Sequence, residues 1–272
     1  MPELPEIEVT RRTIHERLVG LRLESVTLKR TGKTEMEGAE WLPLLEGKRL
    51  VDTARRGKML VLHFEDGLSL VIHLMLIGRV ALYRGTKSSN PLLHLRFEGE
   101  QNLEVRFVAA RSIALLPSDH LEAYPPIAKH GPDALTMSLD QFRDAVRRSR
   151  GPVKNVFLDQ TLVAGIGNAY ADEILYEARV HPLAPVASLS DAKVRALHAS
   201  TAPVLQRAID LGAAEEYVLY LGREAGLTSK HDLMRVHNRE GLPCPSCGGS
   251  VEKVELGGRG TFFCPRCQGD AA

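Results

Sequence analysis

No stretch of the chain is apolar for long. The longest run, Leu68 to Leu82, is broken by Ser69, His73, Gly78 and Arg79, whereas a membrane span needs about 18 uninterrupted apolar residues. The N-terminus, MPELPEIEVTRR, is acidic and then basic with no apolar segment, so no secretory signal is expected. An excess of charge is also missing. Lys+Arg number 35 and Asp+Glu 34, for a net +1, so overall charge names no partner and neither a strongly basic nucleic-acid binder nor an acidic-tail protein is indicated. There is no internal repeat and no low-complexity segment. What remains is an ordinary globular chain of 272 residues, 44% hydrophobic and 25% charged. That is long enough for a sizeable core and fits one large domain or two modest ones.

Cysteine is scarce and confined to one end. The four residues Cys244, Cys247, Cys264 and Cys267 are spaced C-x2-C-x16-C-x2-C. Each C-x2-C turn can offer two thiolates to one side of a tetrahedral zinc ion. Two disulfides in a secreted protein are the competing reading; the paired spacing and the lack of an export signal favour metal. Glycines between the pairs (Gly248, Gly249, Gly257, Gly258, Gly260) read as a hairpin. A tail this small has no core of its own, so the expected cofactor is one structural Zn2+.

Residues 3–18 place Ile7, Ile14 and Leu18 at helical spacings, with Gly20 as a stop. From Leu21 to about Leu116 short β-rich runs alternate with turns: LESVTLKR, RLVDTARR, MLVLHF, LSLVIHLM, RVALYR, LLHLRF and LEVRFV. So many closely spaced strands predict a β-sandwich or barrel. Pro117, Pro125, Pro126 and Pro132 mark a linker. Helices follow. Ser138 and Gln141 form a capping box, a short helix is expected over 153–158, and another opens at Asn168 and ends near His181. A last one runs from Ser190 to Leu211, with a kink or break at Pro203. Residues 213–235 are ambiguous. The expected class is α+β, with domains at 1–116, 136–235 and 236–272 and a linker at 117–135.

Four motifs could carry chemistry. Met1-Pro2-Glu3-Leu4-Pro5-Glu6 reads first as a helix start, with proline and acids suited to its positive end. If Met1 is removed, Pro2 carries a secondary amine whose pKa, near about 8, leaves part of it unprotonated at neutral pH. Such an amine can attack a sugar carbon and form an iminium, with Glu3 beside it to move a proton. LVAGIGNAYADE (162–173) pairs a glycine turn with a helix start at Asn168, which is either a plain cap or a phosphate site. Lys154 upstream could add a phosphate contact. Arg259, at the tip of the cysteine hairpin, is either an idle turn residue or a fork for a phosphate. Arg55-Arg56-Gly57-Lys58 is a basic turn that would touch phosphates if it lay over a nucleic acid.

Taken in order, PELPE at the start, R-R-x-K ending at Lys58, His73-Leu74, LDQ-x-x-V-A-G-I-G-N-x-Y-A-D-E and R-x-T-F-x-C in a four-cysteine finger resemble the formamidopyrimidine-DNA glycosylase/endonuclease VIII family. The likeness spans Pro2 to Cys267, and PELPE is closer to the formamidopyrimidine branch. It implies a helix-led β-sandwich, a helix-two-turns-helix domain and a zinc finger. It implies a base-excision enzyme, a glycosylase and abasic-site lyase, that flips a damaged nucleotide out of DNA. By the same likeness Pro2 is the nucleophile at C1′, Glu3 assists ring opening, Glu6 is a structural and proton-relay acid, and Lys58 contacts DNA and assists catalysis. Asn168 and Arg259 clamp phosphates, and Arg56, Arg111 and Lys154 join the DNA contacts. A monomer in a bacterial-type cytoplasm, close to the nucleoid, would suffice.

The departures fall where the family inserts side chains into the gap left by the flipped base. The usual H-L-G-M-x-G is His73-Leu74-Met75-Leu76-Ile77-Gly78, with Leu76 at the methionine's place. The usual D-P-R-R-F-G is Val108-Ala109-Ala110-Arg111-Ser112-Ile113. That puts Ala110 and Ser112 at the wedge positions, and neither offers stacking area. Residues 221–235 also lack the branch's pattern for covering an oxidised purine. Retained catalysis with altered lesion capture is therefore expected, favouring single-stranded, abasic or cross-linked substrates. The alternatives are an ordinary oxidised-purine glycosylase using Met75 or Arg111 as substitutes, a non-catalytic damaged-DNA binder, and a zinc-ribbon RNA or protein module. A near-neutral chain binds DNA best if Arg55, Arg56, Lys58, Lys154 and Arg259 converge.

Overall fold

Helix α1, Leu4–Leu18, opens the fold. Ile7, Ile14 and Leu18 lie on one of its faces and enter the main core. The structure, a computed structural model, describes residues 2–29, 34–74, 80–84, 92–99, 103–107, 109–213, 218–219 and 233–269. The chain divides into two compact units, 1–128 with 212–229, and 129–211 with 230–272.

The first unit holds two five-stranded sheets. One has β2 (Glu35–Glu37), β9 (Ala110–Pro117), β5 (Leu68–Leu74), β4 (Met59–Phe64) and β3 (Leu50–Arg56) in that order. The other has β1 (Leu23–Leu28), β7 (Leu93–Phe97), β8 (Leu103–Phe107), β6 (Val80–Arg84) and β10 (Val218–Leu219). Leu60, Leu62, Leu70 and Ile72 of one sheet share a core with Leu93, Leu95, Val105 and Phe107 of the other, as a sandwich requires. The strand runs read from sequence all appear as strands. MLVLHF and LSLVIHL are nearly continuous runs because their sheet is covered twice: Met59, Val61 and Val71 pack outward against Leu121, Tyr124 and Ile127. The proline-rich segment after 117, which ends in the short α2 (Pro125–Ala128), is thus as far as Ala128 a packed cover on that sheet rather than a free connection. Strand β10 comes from after the long helix of the second unit and pairs in parallel with β6.

The second unit carries α3 (Leu139–Arg148), α4 (Lys154–Leu158), α5 (Asn168–Glu177) and α6 (Asp191–Asp210). The Ser138–Gln141 capping box forms in both directions. Helix α5 stops at Glu177, four residues before His181, where Arg179 takes a left-handed φ of 56°. A kink or break is expected at Pro203; helix α6 continues through it without a break. Hairpin β11 (Glu252–Leu256) and β12 (Arg259–Phe263) and the short α7 (Pro265–Gln268) complete the unit. Tyr176 of α5 shares a core with Val236, Cys244, Val251, Phe262 and Cys264, so the finger and the helices form one unit.

Within the first unit α1 packs on β3 and β4, and one carboxylate sets its register. Glu8 is ion-paired with Arg11 at 2.8 Å, Arg12 at 2.9 Å and, across to β3, Arg55 at 3.3 Å. Burial alone would raise its pKa, but hydrogen bonds from Arg11 and Arg12 and the charges of Arg11 and Arg55 outweigh it and hold the carboxyl below its ordinary 4.5. Glu8→Gln leaves Arg55 buried with less to neutralise it, and should cost about 3 kcal/mol at pH 7. Because the folded carboxyl titrates below the unfolded one, that difference is full above about pH 4.5 and closes as pH falls through the folded value. Denaturant melts of both proteins at pH 7 and pH 3 check this.

Candidate active site

Two elements of the first unit position the groups expected to do chemistry. Pro2 is buried at the head of α1, and Glu3 and Glu6 behind it are 3% and 1% exposed. The Glu3 N–H donates to Glu6 Oε2 at 2.7 Å, and the Glu3 carboxylate accepts the Glu6 N–H in return. This capping box satisfies two groups at the start of the helix and fixes both carboxylates at its positive end. The second element is the β3–β4 hairpin. Arg56 and Met59 pair across a two-residue turn, Gly57-Lys58, in which Gly57 takes the positive φ of 57° that a tight hairpin needs. Lys58 is 8% exposed there. Arg55 is drawn inward to Glu8, while Arg56 remains partly exposed and pairs with Glu122 at 2.5 Å.

Two of the three positions expected to carry the wedge, Ala110 and Ser112, lie at one end of a sheet. His73 pairs with Ser112 and Leu74 with Ala110. Ala110 is fully buried within β9, Ser112 is partly buried in the ladder, and Arg111 between them is exposed. The Ala110–Ser112 segment is thus strand, which holds its backbone in the sheet. Leu76, Met75 and most of 221–235 lie outside the described residues.

The second unit holds Lys154, Asn168 and Arg259. Gly165 takes a φ of 105°, and Asn168 is the first residue of α5. Gly167 is extended, with φ −124°. Asn168 Nδ2 donates to Gly260 O at 2.8 Å, binding the helix start to the finger hairpin. Its Oδ1 is buried and has no partner among the described residues, which costs about 1–3 kcal/mol for an unsatisfied group. Arg259 is exposed at the start of β12, after a Gly257-Gly258 turn whose φ values of 56° and 72° suit a type I′ hairpin.

Lys154 is not a surface lysine. Its side chain is 0% exposed, 2.6 Å from Asp172 and donating to Thr261 Oγ1 at 2.8 Å. Asp172 also meets His237 Nδ1 at 2.7 Å, and His237 sits edge-on to Phe262 at 5.1 Å. The solvent-facing phosphate lysine expected from sequence is here the centre of a buried network that supports β12 beneath Arg259. The neighbouring Glu173 accepts the N–H groups of Arg235, Val236 and His237 at 2.9, 2.9 and 3.0 Å. Burial raises its pKa, against the lowering effect of those three bonds. Sequence reasoning quoted Asp172, Glu173 and Thr261 in its motifs but gave them no role, and missed His237; two adjacent acids among the buried residues of α5 were the available signal.

The four cysteine sulfurs lie within 4.8 Å of one another, with Cys244–Cys267 at 3.8 Å and Cys247–Cys264 at 3.5 Å. A tetrahedron with Zn–S bonds of about 2.3 Å has edges of about 3.8 Å, so the donor set fits a structural zinc ion. Tyr176 Oη bonds Ser246 Oγ at 2.6 Å and lies 3.2 Å from Cys244 Sγ, which ties the metal loop to α5. Among the described residues no helix is long and apolar enough to cross a membrane.

Comparison with known proteins agrees with this arrangement throughout the chain. Residues 1–116 match the formamidopyrimidine-DNA glycosylase N-terminal domain, 130–217 its H2TH domain, and 241–269 the zinc finger found in FPG and IleRS. The formamidopyrimidine-DNA glycosylases of Desulforamulus reducens and Heliobacterium modesticaldum are 34% and 36% identical, over 98% of this chain and 99% and 100% of theirs. The Lactococcus lactis FPG mutant G226P in complex with a Fapy-dG containing DNA superposes with a TM-score of 0.86 at 30% identity, covering 99% of this chain and 100% of its own. The MutM (FPG) protein of Thermus thermophilus superposes at 0.83 with 33% identity, covering 99% of each chain. A helix-led β-sandwich, a Lys58 hairpin and a four-cysteine finger, matched from one end of the chain to the other, leave one assignment: the chain belongs to the formamidopyrimidine-DNA glycosylase family, whose members are DNA glycosylases with abasic-site lyase activity.

Proposed function

We propose that this chain excises damaged bases from DNA through the amine of Pro2, and that its capture of the lesion differs from that of its relatives. The observation that carries the catalytic reading is the buried, reciprocally bonded Glu3–Glu6 pair immediately behind Pro2. A free Pro2 nitrogen attacks C1′ of the damaged nucleotide and the base departs. Glu3, held at the helix start, gives a proton to the ring oxygen as the sugar opens to an iminium. Elimination of the 3′ and then the 5′ phosphate follows, and hydrolysis of the iminium frees the amine. Lys58 meets the DNA from its hairpin, and Asn168 and Arg259 hold phosphates. The work is that of a monomer on chromosomal DNA in a bacterial-type cytoplasm.

The altered capture is supported by Ala110 and Ser112. Both lie in β9, and their side chains are too small to fill the space of an extruded base. Flipping from intact duplex then lacks a few kcal/mol of replacement stacking, and substrates that are already unstacked suffer least. The ordinary oxidised-purine reading is supported by the relatives, which are formamidopyrimidine-DNA glycosylases, and by Arg111, exposed between the two with the reach to act as a substitute.

Borohydride trapping on matched single- and double-stranded oligonucleotides carrying an abasic site or 8-oxoguanine tests both parts. A covalent complex should form with the abasic site, disappear with Pro2→Gly or a retained Met1, and form at least about 100-fold more slowly with Glu3→Gln. Single-stranded 8-oxoguanine should be cleaved faster than duplex; equal rates or a duplex preference would overturn the altered-capture reading. The finger supplies a second prediction. Zinc anchors the hairpin that presents Arg259, so Cys267→Ser or chelation should weaken binding to an abasic-site duplex by at least about tenfold in a gel-shift titration.

A further inference from the structure

Helix α3 and the loop after it carry four arginines, and they fall into two kinds. Arg143 is paired with Asp140 and Asp191, at 3.1 and 3.0 Å, and Arg147 with Asp144 at 2.8 Å. Arg148 has no hydrogen-bond or ion-pair partner among the described residues, and Arg150 donates only to the backbone carbonyls of Arg147 and Ser149. Both are exposed, and both line a groove of about 620 Å³ whose far wall includes Arg259. Asn155, whose carboxamide is likewise unpartnered among the described residues, lies in the same groove, as does Thr161. One acid, Asp159, is on the lining, and its Oδ1 accepts the Thr161 N–H and hydroxyl at 2.9 and 2.7 Å. The lining therefore carries three cations against one anion, a local +2 in a chain whose whole charge is +1.

We infer that this groove is a second phosphate-binding site, which grips the DNA backbone beyond the phosphates held at the lesion. The inference rests on the DNA reading above and extends it, because Arg259 belongs to both places. Concentrated, unneutralised guanidinium groups along a groove are the footprint of a polyanion rather than of a small ligand. Planar forks with no internal carboxylate are free to bind phosphate oxygens in pairs. The lining has no aromatic side chain on which a base could stack; beside Arg259 and Asp159 it offers two arginines, an amide and the Ser149 and Thr161 hydroxyls, with Leu158 and Leu162 as its apolar members. Contacts of this kind position a strand without specifying sequence. They would give a near-neutral enzyme a grip that does not depend on the lesion, which matters most if the wedge is missing.

The test is binding to a 25-base-pair duplex with a non-cleavable abasic analogue, followed by fluorescence anisotropy at several salt concentrations. For Arg148→Ala/Arg150→Ala the slope of log K against log salt should be shallower than wild type by about 1.8, two phosphate contacts at about 0.9 each. The control Arg147→Ala, which removes one charge already paired with Asp144, should keep the wild-type slope. Shortening the flanks of the duplex should weaken wild type and leave the double variant nearly unaffected. A double variant with the wild-type slope and flank dependence, and a far-ultraviolet spectrum showing it folded, overturns the inference. So does equal loss of binding to a polyglutamate peptide, which would make the groove a protein-docking surface. If wild type neither binds the duplex nor forms a borohydride-trapped complex, the DNA reading itself fails, and the groove with it.

Discussion

A chain terminus is ordinarily the part of a protein most ready to fray, and the proposed chemistry at Pro2 requires this one to stay still. A nucleophile at position 2 is useful only if its nitrogen and the neighbouring acid stay in one geometry. The bonds that impose this are the two between Glu3 and Glu6. Each residue satisfies the other's backbone N–H, so the helix needs no cap from elsewhere, and both carboxylates are held under the positive end of α1. Leu4 and Ile7 anchor the same turn in the core. Glu8, one residue further, ties the helix to Arg55 of β3, three positions before Lys58. A single helical turn thus supplies the acid, its orientation and the link to the lysine hairpin.

The second unit follows the same logic with buried charge in place of a cap. A four-cysteine finger has no core of its own, and metal can hold only its base. Lys154, Asp172, His237 and Thr261 form a chain of bonds from α4 through α5 to the strand that carries Arg259. Glu173 binds three successive backbone amides at the entry to the finger. Breaking one member of such a network strands a charge out of water, so its members hold their places together. The arginine at the hairpin tip is exposed, but what it stands on is not.

Much of this was legible from the chain. The strand runs, the Ser138 box, the start of α5 at Asn168 and the cysteine spacing all rest on local chemistry, and each is found where expected. The errors share a cause. The prolines after 117 suggested a linker, yet Leu121, Tyr124 and Ile127 cover the outer face of a sheet, a role set in part by Met59, Val61 and Val71, fifty or more positions away. Pro203 removes one hydrogen bond, but α6, which packs against α5 and α3, runs on through it. Lys154 looked like a surface cation because its partner, Asp172, is eighteen residues on and one helix away.

The order of the motifs from PELPE to the finger, the zinc ligands and the departures at Ala110 and Ser112 were all decided by sequence, because each depends on residue identity and short spacing. Which charges are spent inside the protein and which are left for a ligand was decided only by the fold. Arg55, Arg143, Arg147 and Lys154 are neutralised by carboxylates, three of them brought to their partners by tertiary packing, while Arg148, Arg150 and Arg259 meet none among the described residues. Composition counts these side chains as equals. The distances between them, which determine the electrostatic energy, exist only once the chain has folded.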